Sequence, residues 1–329
     1  MTSPVRLSHG MSILVLLVFC AAAGVAQAAE PAYPARPVRL VVQFPPGGGP
    51  NALARMISPK LSAAMGQNWV VDNRPGAGGN LATEIVARAN PDGHTALLAL
   101  DSTLTASPSL YKLPFSVETD LQPITMLYWA DTMLIVHPSV QATTLKEFVA
   151  LAKQKPGTLN YGSGGVGSPM YLAAELLKKR VGIDLVHVPY KGGGPAITAN
   201  IAGEIQVRIG NVAAAIPNIK AGRLRALAAT GAKRSKWLPE LPTVAESGYP
   251  GFDLGLWAAL LVPGGTPKVI AERIREEVLK ALRHADVRVA MERGGMEPMT
   301  STPAELAARI KSETGLWAGI IEDAGIRAE

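Results

Sequence analysis

The chain has 329 residues, a formal net charge of +6 and a single cysteine, Cys20. This length corresponds to about two domains of ordinary size, and one cysteine excludes a disulfide framework and a thiolate metal site within the chain. The basic residues are spread along the sequence without interleaved aromatic clusters, which argues against binding of nucleic acid.

The first 28 residues have the pattern of a secretory signal peptide. Arg6 supplies the positive n-region, residues 11–24 form an apolar run, and Ala26-Gln27-Ala28 matches the small-x-small cleavage site. The run is shorter than the roughly 20 apolar residues that span a bilayer. We therefore expect cleavage after Ala28 and export to the periplasm; an uncleaved membrane anchor is the alternative.

A proline-rich segment at 30–37 leads into short β-branched runs that alternate with helical patterns. The helical patterns have apolar residues at three-to-four spacing, and the alternation is typical of an α/β fold with a largely parallel sheet. The runs that we interpret as strands are 38–44, 69–72, 95–100, 158–161, 184–188 and 205–209.

Two extended segments, 126–136 and 252–262, lie next to turn-forming proline or glycine and are interpreted as crossings between two lobes. Lobe 1 then comprises residues 29–131 and 254–329, and lobe 2 comprises residues 132–253. The sequence thus predicts that the chain leaves lobe 1 once and returns to it once.

Capping residues mark the starts of several helices. Thr302 and Glu305 have the spacing of a capping box, and so have Thr144 and Glu147. Thr266, before a proline, is expected to be the N-cap of the first of two long C-terminal helices. Both of these helices are expected to complete lobe 1.

Glycine-rich turns stand between a strand and a helix at 44–51, 74–80, 162–168 and 189–195. Glycine allows backbone N–H groups to approach a ligand closely, and a helix N-terminus has unpaired N–H donors and a partial positive charge. Several such helix ends around one cleft form an anion site that needs no lysine or arginine. Two loops in each lobe therefore predict an anion-binding cleft between the lobes.

Enzymatic alternatives lack their motifs. No loop has the Gly-Lys-Ser/Thr of a nucleotide P-loop or a complete Rossmann fingerprint, and neither Ser163 nor Ser168 stands in Gly-x-Ser-x-Gly. His187, within a strand, is expected to be packed and hydrogen-bonded. We expect no catalytic residue, no metal and no cofactor; a secreted hydrolase with a base-activated serine or carboxylate is a remaining alternative.

The loops resemble those of the substrate-binding proteins of tripartite tricarboxylate transporters, the Bug family. The resemblance extends from about Tyr33 to Ile326. The motifs that carry it are 41–48 (VVQFPPGG), 73–80 (NRPGAGGN), 91–93 (PDG), 159–163 (LNYGS), 188–192 (VPYKG) and 241–244 (LPTV).

This resemblance implies a type II periplasmic-binding-protein fold, in which two α/β lobes joined by two crossing segments enclose a ligand cleft. It implies a small organic carboxylate held by backbone amides and ordered water at the first two loops. It also implies delivery to integral membrane transporter subunits or, alternatively, to a sensor kinase; we expect a monomer. The expected ligand-binding residues are Phe44, Gly47, Gly48, Asn51, Ala77, Gly78, Asn80, Ser102, Gly165, Ser168, Tyr190, Gly210 and Asn211.

The chain departs from the family pattern at positions that bear on the ligand. The family usually has an acid where Asn51 stands and often an aspartate where Gly210 stands; Tyr171 replaces a common histidine and Ser168 a common threonine. Lost negative charge favours di- or aromatic carboxylates over amino acids, although an unchanged ligand class is the alternative. Arg208 lies on the same strand face as Gly210 and is a candidate for binding a second carboxylate; a solvated or salt-bridged arginine is the alternative.

Overall fold

The computed structural model describes residues 33–326, and the predicted signal peptide at 1–28 lies outside the described residues. The described part is a mixed α/β structure. Its elements in chain order are β1 (Val38–Val42), α1 (Gly49–Met65), β2 (Trp69–Asn73), a 3₁₀ turn (Ala77–Gly79), α2 (Asn80–Ala87), β3 (Thr95–Leu100), α3 (Asp101–Thr105), α4 (Ser107–Leu110), β4 (Leu121–Ala130), β5 (Thr132–Val136), α5 (Leu145–Gln154), β6 (Asn160–Ser163), α6 (Pro169–Val181), β7 (Val186–Pro189), α7 (Gly193–Ala202), β8 (Val207–Asn211), α8 (Val212–Lys220), β9 (Arg225–Ala229), β10 (Leu256–Pro263), α9 (Lys268–Arg283), α10 (Ala285–Arg293), β11 (Glu297–Pro298) and α11 (Pro303–Ala324).

The first sheet has the strand order β11-β4-β10-β3-β1-β2. Strand β1 pairs in parallel with β2 and β3, whereas β10 runs antiparallel to β3 and β4. Because β1, β2 and β3 are parallel, the loops that follow them leave the same edge of the sheet, where open α/β sheets bind their ligands. We call this sheet and the helices on it lobe 1.

The second sheet has the order β7-β6-β8-β5-β9 and forms lobe 2. Strand β6 is parallel to β7 and β8, and β5 is antiparallel to β8 and β9. Both lobes therefore have the same plan of parallel strands next to an antiparallel strand, although their sequences are not repeats of each other.

The chain passes from one lobe to the other at two adjacent places. Asp131 alone separates β4 in lobe 1 from β5 in lobe 2. On the return, the Leu254 N–H donates to the Thr230 carbonyl at 2.8 Å, and the hydroxyls of Thr132 and Thr230 lie 2.5 Å apart. The two crossings thus lie side by side, which confirms the predicted two-lobe fold; the lobe boundaries themselves stay a prediction.

The core of lobe 1 covers both faces of its sheet. Leu40 packs with Leu98 and Ile57 on one face, and Val41 packs with Leu97 and others on the opposite face. Neighbours along β1 belong to different clusters because side chains alternate along a strand. All five of these residues are fully buried, as expected for central parallel strands with helices on both faces.

Helix α11 packs on both lobes. Leu306, near its start, belongs to a lobe 1 cluster, whereas Trp317 and Ile321 belong to the lobe 2 cluster. Its 22 residues are about 33 Å long. That this helix completes lobe 1 stays a prediction; its second half also packs on lobe 2. No helix among residues 33–326 has the length and apolar character needed to cross a membrane.

Two predicted capping boxes are present and one predicted cap is wrong. The Glu305 N–H donates to Thr302 Oγ1 at 3.2 Å, and the Thr144–Glu147 box also forms in both directions. The Thr266 hydroxyl instead donates to the Pro263 carbonyl at 2.7 Å. Because its side chain closes that turn, α9 begins without a side-chain cap.

Candidate ligand-binding cleft

A cavity of about 250 Å³ lies between the two lobes. This is smaller than the roughly 300–1,000 Å³ of pockets for drug-sized ligands, so it suits a small solute. The described residues that line it are Phe44, Pro45, Pro46, Gly47, Gly48, Gly49, Pro50, Leu100, Gly164, Ser168, Pro169, Met170, Lys191, Gly192, Gly193, Gly194, Pro195, Ile197, Arg208, Asn211, Ala214 and Leu256.

Two larger depressions have a different character. One, of about 610 Å³, lies between the segment 104–123 and helix α11, and its lining comes from lobe 1 alone. The other, of about 970 Å³, lies on lobe 2 and is lined by lobe 2 residues alone. Binding by lobe closure requires contributions from both lobes, so the smaller cavity between the lobes is the candidate site.

Buried hydrogen bonds position the lobe 1 loop at 44–50. Gln43 is 1% exposed; its amide donates to Thr83 Oγ1 at 2.8 Å, and its oxygen accepts from the Leu100 N–H at 2.9 Å. The Asn73 amide donates to the Phe44 carbonyl at 2.7 Å. These bonds tie the end of β1 to its neighbours on both sides, so the loop that follows is held in place.

Helices α1, α6 and α7 begin at the cavity wall. Helix α1 follows Gly48 and helix α7 follows Gly192, and neither has a side-chain hydrogen bond at its cap. Helix α6 is capped by Ser168, whose hydroxyl accepts from the Tyr171 N–H at 3.4 Å. Glycine caps leave first-turn N–H groups free for a ligand, and the partial positive charge of the helix ends favours an anion.

The charged residues of the cavity wall are Lys191 and Arg208, and none of the described lining residues is acidic. Lys191 is exposed, whereas Arg208 is only 6% exposed. Among residues 33–326, Arg208 Nε has no hydrogen-bond partner. Burial lowers the pKa of the Arg208 guanidinium to about 10, so the group stays positively charged at neutral pH.

The strand β8 brings Arg208 to the cavity, where it lies over Gly210. Arg208 pairs with Ile135 on β5 and with Gly162 on β6. A Cβ atom at Gly210 would lie 2.9 Å from Arg208 Cζ and 3.1 Å from one terminal nitrogen. The two residues share a strand face, as their spacing predicts. Gly210 lies against the Arg208 guanidinium and does not line the cavity.

The structure brings six of the residues predicted from the sequence to the cavity wall. They are Phe44, Gly47, Gly48, Ser168, Arg208 and Asn211. Asn51 does not line the cavity: it is buried in α1, and its Oδ1 accepts from Arg55 Nε at 3.3 Å.

Other predicted residues lie where the lobes meet. A Cβ atom at Gly78 would lie 3.1 Å from the Val166 carbonyl oxygen of lobe 2, which places Ala77 and Gly78 opposite the loop that contains Gly165. Ala77 has φ of 47°, and it alone among the non-glycine residues of 33–326 has a positive φ. Such backbone strain is held in place only by surrounding structure and is frequent at ligand sites.

Tyr190 is not among the lining residues of the cavity. Its ring lies against Gly162, where a Cβ atom would be 3.3 Å from Cε2, and its N–H donates to the Ser163 carbonyl at 3.0 Å. The wall that we expected from this ring comes instead from Lys191 and the glycines that follow it. The fourth glycine loop was recognised in the sequence, but its backbone and not its aromatic ring faces the cavity.

Asn80 begins α2, Ser102 is the second residue of α3, and both are buried. Thr103 Oγ1 donates to the Gly78 carbonyl at 3.2 Å, which joins the loop before α2 to α3. Among the described residues, neither polar atom of the Asn80 amide has a hydrogen-bond partner, and the Ser102 and Tyr128 hydroxyls also have none. Because unpaired buried polar groups are costly, these atoms are suited to hold ordered water.

Contacts between the lobes flank the cavity. The Tyr111 hydroxyl of lobe 1 donates to the Val166 carbonyl of lobe 2 at 3.2 Å. The Asn211 amide of lobe 2 donates to the Gly295 carbonyl of lobe 1 at 3.4 Å. The lobes thus touch on more than one side, and the cavity is a space that they enclose together.

Sequence reasoning missed several lining residues. Leu100 and Leu256 stand at strand ends, and their place at the cavity depends on β3 and β10 being neighbours. Met170 lies in the first turn of α6, and Ile197 is the fifth residue of α7. Lys191 belongs to the motif at 188–192 (VPYKG), and its positive charge was the signal that could have identified it as a lining residue.

Comparisons with known proteins agree with this architecture. Residues 53–326 match the family described as "Tripartite tricarboxylate transporter family receptor". Protein BugT of Bordetella pertussis is 34% identical over 319 residues, which cover 95% of this chain and 97% of BugT.

Solved structures with the same fold include two from Rhodopseudomonas palustris. MatC with bound malate is 31% identical with a TM-score of 0.83, over 88% of this chain and 100% of MatC. A protein solved with adipate is 33% identical with a TM-score of 0.83, over 90% of this chain and 99% of that protein. The chain therefore belongs to the tripartite tricarboxylate transporter receptor family, whose members are solute-binding proteins and not enzymes.

Proposed function

We propose that this protein captures a small organic carboxylate in the periplasm and delivers it to integral membrane subunits of a tripartite tricarboxylate-type transporter. The charge of the cavity wall carries the proposal: Lys191 and Arg208 contribute positive charge, and no acidic residue is among the described lining residues. The glycine-capped starts of α1 and α7 add N–H donors for an anion. The malate and adipate complexes of relatives support this class of ligand.

Capture would proceed by lobe closure. The anion docks on the loop at 44–50 of lobe 1, and lobe 2 then brings Ser168, Arg208 and Asn211 to it. A ligand shifts the protein towards the closed state by its greater affinity for that state. Water held near Asn80 and Ser102 would complete the hydrogen bonds of the first carboxylate.

Neutral residues favour di- or aromatic carboxylates over amino acids. An ammonium group needs a nearby carboxylate when it is desolvated. None of the described residues of the cavity wall is acidic. A ligand amino group would therefore lie next to Lys191 and Arg208 without a counter-charge.

The surroundings of Ser163, the best candidate for a nucleophile, argue against a hydrolase. Ser163 Oγ lies 2.7 Å from His187 Nε2, a distance that a serine–histidine pair would have. However, Ser163 is 1% exposed and does not line the cavity. Its hydroxyl also accepts from the Gly165 N–H at 3.1 Å, so the pair shapes the glycine loop.

A thermal-shift screen of ligand-stripped protein against organic acids tests the proposal. The panel contains dicarboxylates, tricarboxylates, aromatic acids, amino acids and neutral sugars as controls. A ligand at 100 times its Kd adds about 2.7 kcal/mol to the free energy of unfolding, which is roughly several degrees for a protein of this size. A shift with one class of acid supports the proposal, and a shift with neutral solutes alone contradicts it.

A further inference from the structure

Arg208 is a buried cation without a protein counter-charge. It is 6% exposed, and its Nε has no hydrogen-bond partner among the described residues. Several other described basic residues have carboxylate partners at salt-bridge distance, for example Arg39 with Asp72 and Arg309 with Glu313. No described carboxylate lies at salt-bridge distance from Arg208.

Such a group raises the free energy of the empty protein. Buried charges are normally paired, because removing an ion from water without a partner is costly. The second cation of the cavity wall, Lys191, has the same sign and offers no compensation. The surroundings of Arg208 thus fit an anionic group that enters the cavity with the solute.

The Arg208 guanidinium is positioned by its own strand, β8, where Gly210 has no side chain. A side chain at Gly210 would meet it, since a Cβ atom there would lie 2.9 Å from Arg208 Cζ. Glycine thus leaves the space in which the guanidinium lies against the backbone of β8. The planar fork of an arginine in such a place binds a carboxylate through two parallel hydrogen bonds.

Arg208 and the loop at 44–50 stand on opposite walls of the cavity. Arg208 belongs to β8 of lobe 2, and the start of α1 belongs to lobe 1. Resting on the proposed function, in which one carboxylate docks on the start of α1, we propose that Arg208, supported by Gly210, selects solutes with a second acid group. Arg208 and Gly210 together determine the preference of this chain for diacids. A monoacid of equal length leaves the guanidinium unpaired.

Titration calorimetry on paired probes tests this assignment. The protein is expressed from the full sequence, purified after export, and stripped of ligand by unfolding and refolding. The probes are succinate, glutarate and adipate, each compared with its monoamide, which keeps the length but loses one charge. We expect at least one diacid to bind on the order of 10- to 100-fold more tightly than its monoamide.

Three variants assign the preference to Arg208. Arg208→Gln should reduce the diacid-to-monoamide ratio to about one, with the affinity for the monoamide nearly unchanged. Gly210→Ala keeps the charge but displaces the guanidinium, so it should also reduce the ratio. Lys179→Gln is the matched control, since it removes an exposed cation of lobe 2 that does not line the cavity and should keep the ratio.

The outcomes separate this inference from the proposed function. If diacid and monoamide bind the wild-type protein equally, or if Arg208→Gln weakens both equally, the inference is overturned and carboxylate capture stands. If no acid binds, the proposed function itself fails. The ligand-free Arg208→Gln protein should melt at the same or a higher temperature, because it loses an unpaired buried charge; a clear fall would show that Arg208 has a structural partner and would overturn the inference.

Discussion

The hydroxyl of Tyr111 in lobe 1 donates to the Val166 carbonyl in lobe 2 at 3.2 Å. The Tyr111 hydroxyl oxygen also requires a glycine at position 167, since a Cβ atom there would lie 2.6 Å from this oxygen. This bond joins the lobes at a distance from the crossing segments. It is therefore a contact between the lobes that lies outside the crossing segments.

Tyr111→Phe should weaken ligand binding without loss of fold. The variant removes one hydrogen bond of the closed state, worth about 0.5–1.5 kcal/mol, which corresponds to a roughly 2- to 10-fold rise in Kd. Calorimetry with the best acid of the screen measures it. Tyr33→Phe is the control: it removes a similar bond to the Gly93 carbonyl within lobe 1 and should leave Kd unchanged. Equal effects of both variants would contradict a role in closure.

The return crossing depends on a glycine. A Cβ atom at Gly255 would lie 1.8 Å from Cζ2 of Trp129, so Gly255→Ala forces the ring or the strand to move. We expect a loss of about 1–3 kcal/mol in the free energy of unfolding, as for other overpacked sites, measured by urea titration. Gly231→Ala, where the nearest atom is 3.6 Å away, should change little. An unchanged free energy of unfolding in Gly255→Ala would show that the Trp129 ring or the strand moves aside at little cost.

A negative charge in the cavity should oppose binding. Asn211 lines the cavity and caps α8, and its Oδ1 accepts from the Ala214 N–H at 3.1 Å. Asn211→Asp keeps the cap, since aspartate caps as well as asparagine. It loses the amide bond to the Gly295 carbonyl and repels an anion, so it should raise Kd by roughly tenfold or more. Gln141→Glu, on the exposed surface of lobe 2, makes the same charge change and should have little effect. Unchanged binding in Asn211→Asp would argue against an anionic ligand.

The stability of the protein should depend on pH through Asp101. Burial raises the pKa of the Asp101 carboxyl well above its ordinary 3.8, and the Glu313 carboxylate adds to the rise. The folded protein thus holds this proton more tightly than the unfolded chain does. The contribution of Asp101 to stability is complete below the unfolded pKa and is lost as pH rises through the folded pKa.

Asp101→Asn removes the titrating carboxyl and keeps a side-chain oxygen that can accept hydrogen bonds from backbone N–H groups. As the pH rises above the ordinary carboxyl pKa of 3.8 towards the raised pKa of the folded protein, we expect its free energy of unfolding to improve steadily relative to wild type, as urea titrations at each pH would show. A constant difference for Asp101→Asn would mean that the carboxyl does not titrate in this range.

The features that local sequence determines were predicted well. The Thr302–Glu305 capping box and the glycine loops depend on a few adjacent residues, and the structure contains them. The shared strand face of Arg208 and Gly210 follows from the two-residue period of a strand.

Features that depend on strand order and packing were not predictable. The burial of Arg208 without a partner depends on which side chains β5 and β6 place around it. Tyr111 has no motif around it, and its partner Val166 is 55 residues away. The Thr266 cap failed because the hydroxyl closes the preceding turn at Pro263, a competition that the capping pattern does not reveal.

The most direct test of carboxylate capture is calorimetry of ligand-stripped protein with one acid and its uncharged amide of the same shape. The acid is the one with the largest thermal shift in the screen. We predict that the acid binds with a Kd at least about 100-fold lower than that of the amide, since the cavity offers N–H donors and positive charge to an anion. Equal affinity for the uncharged amide would contradict the account.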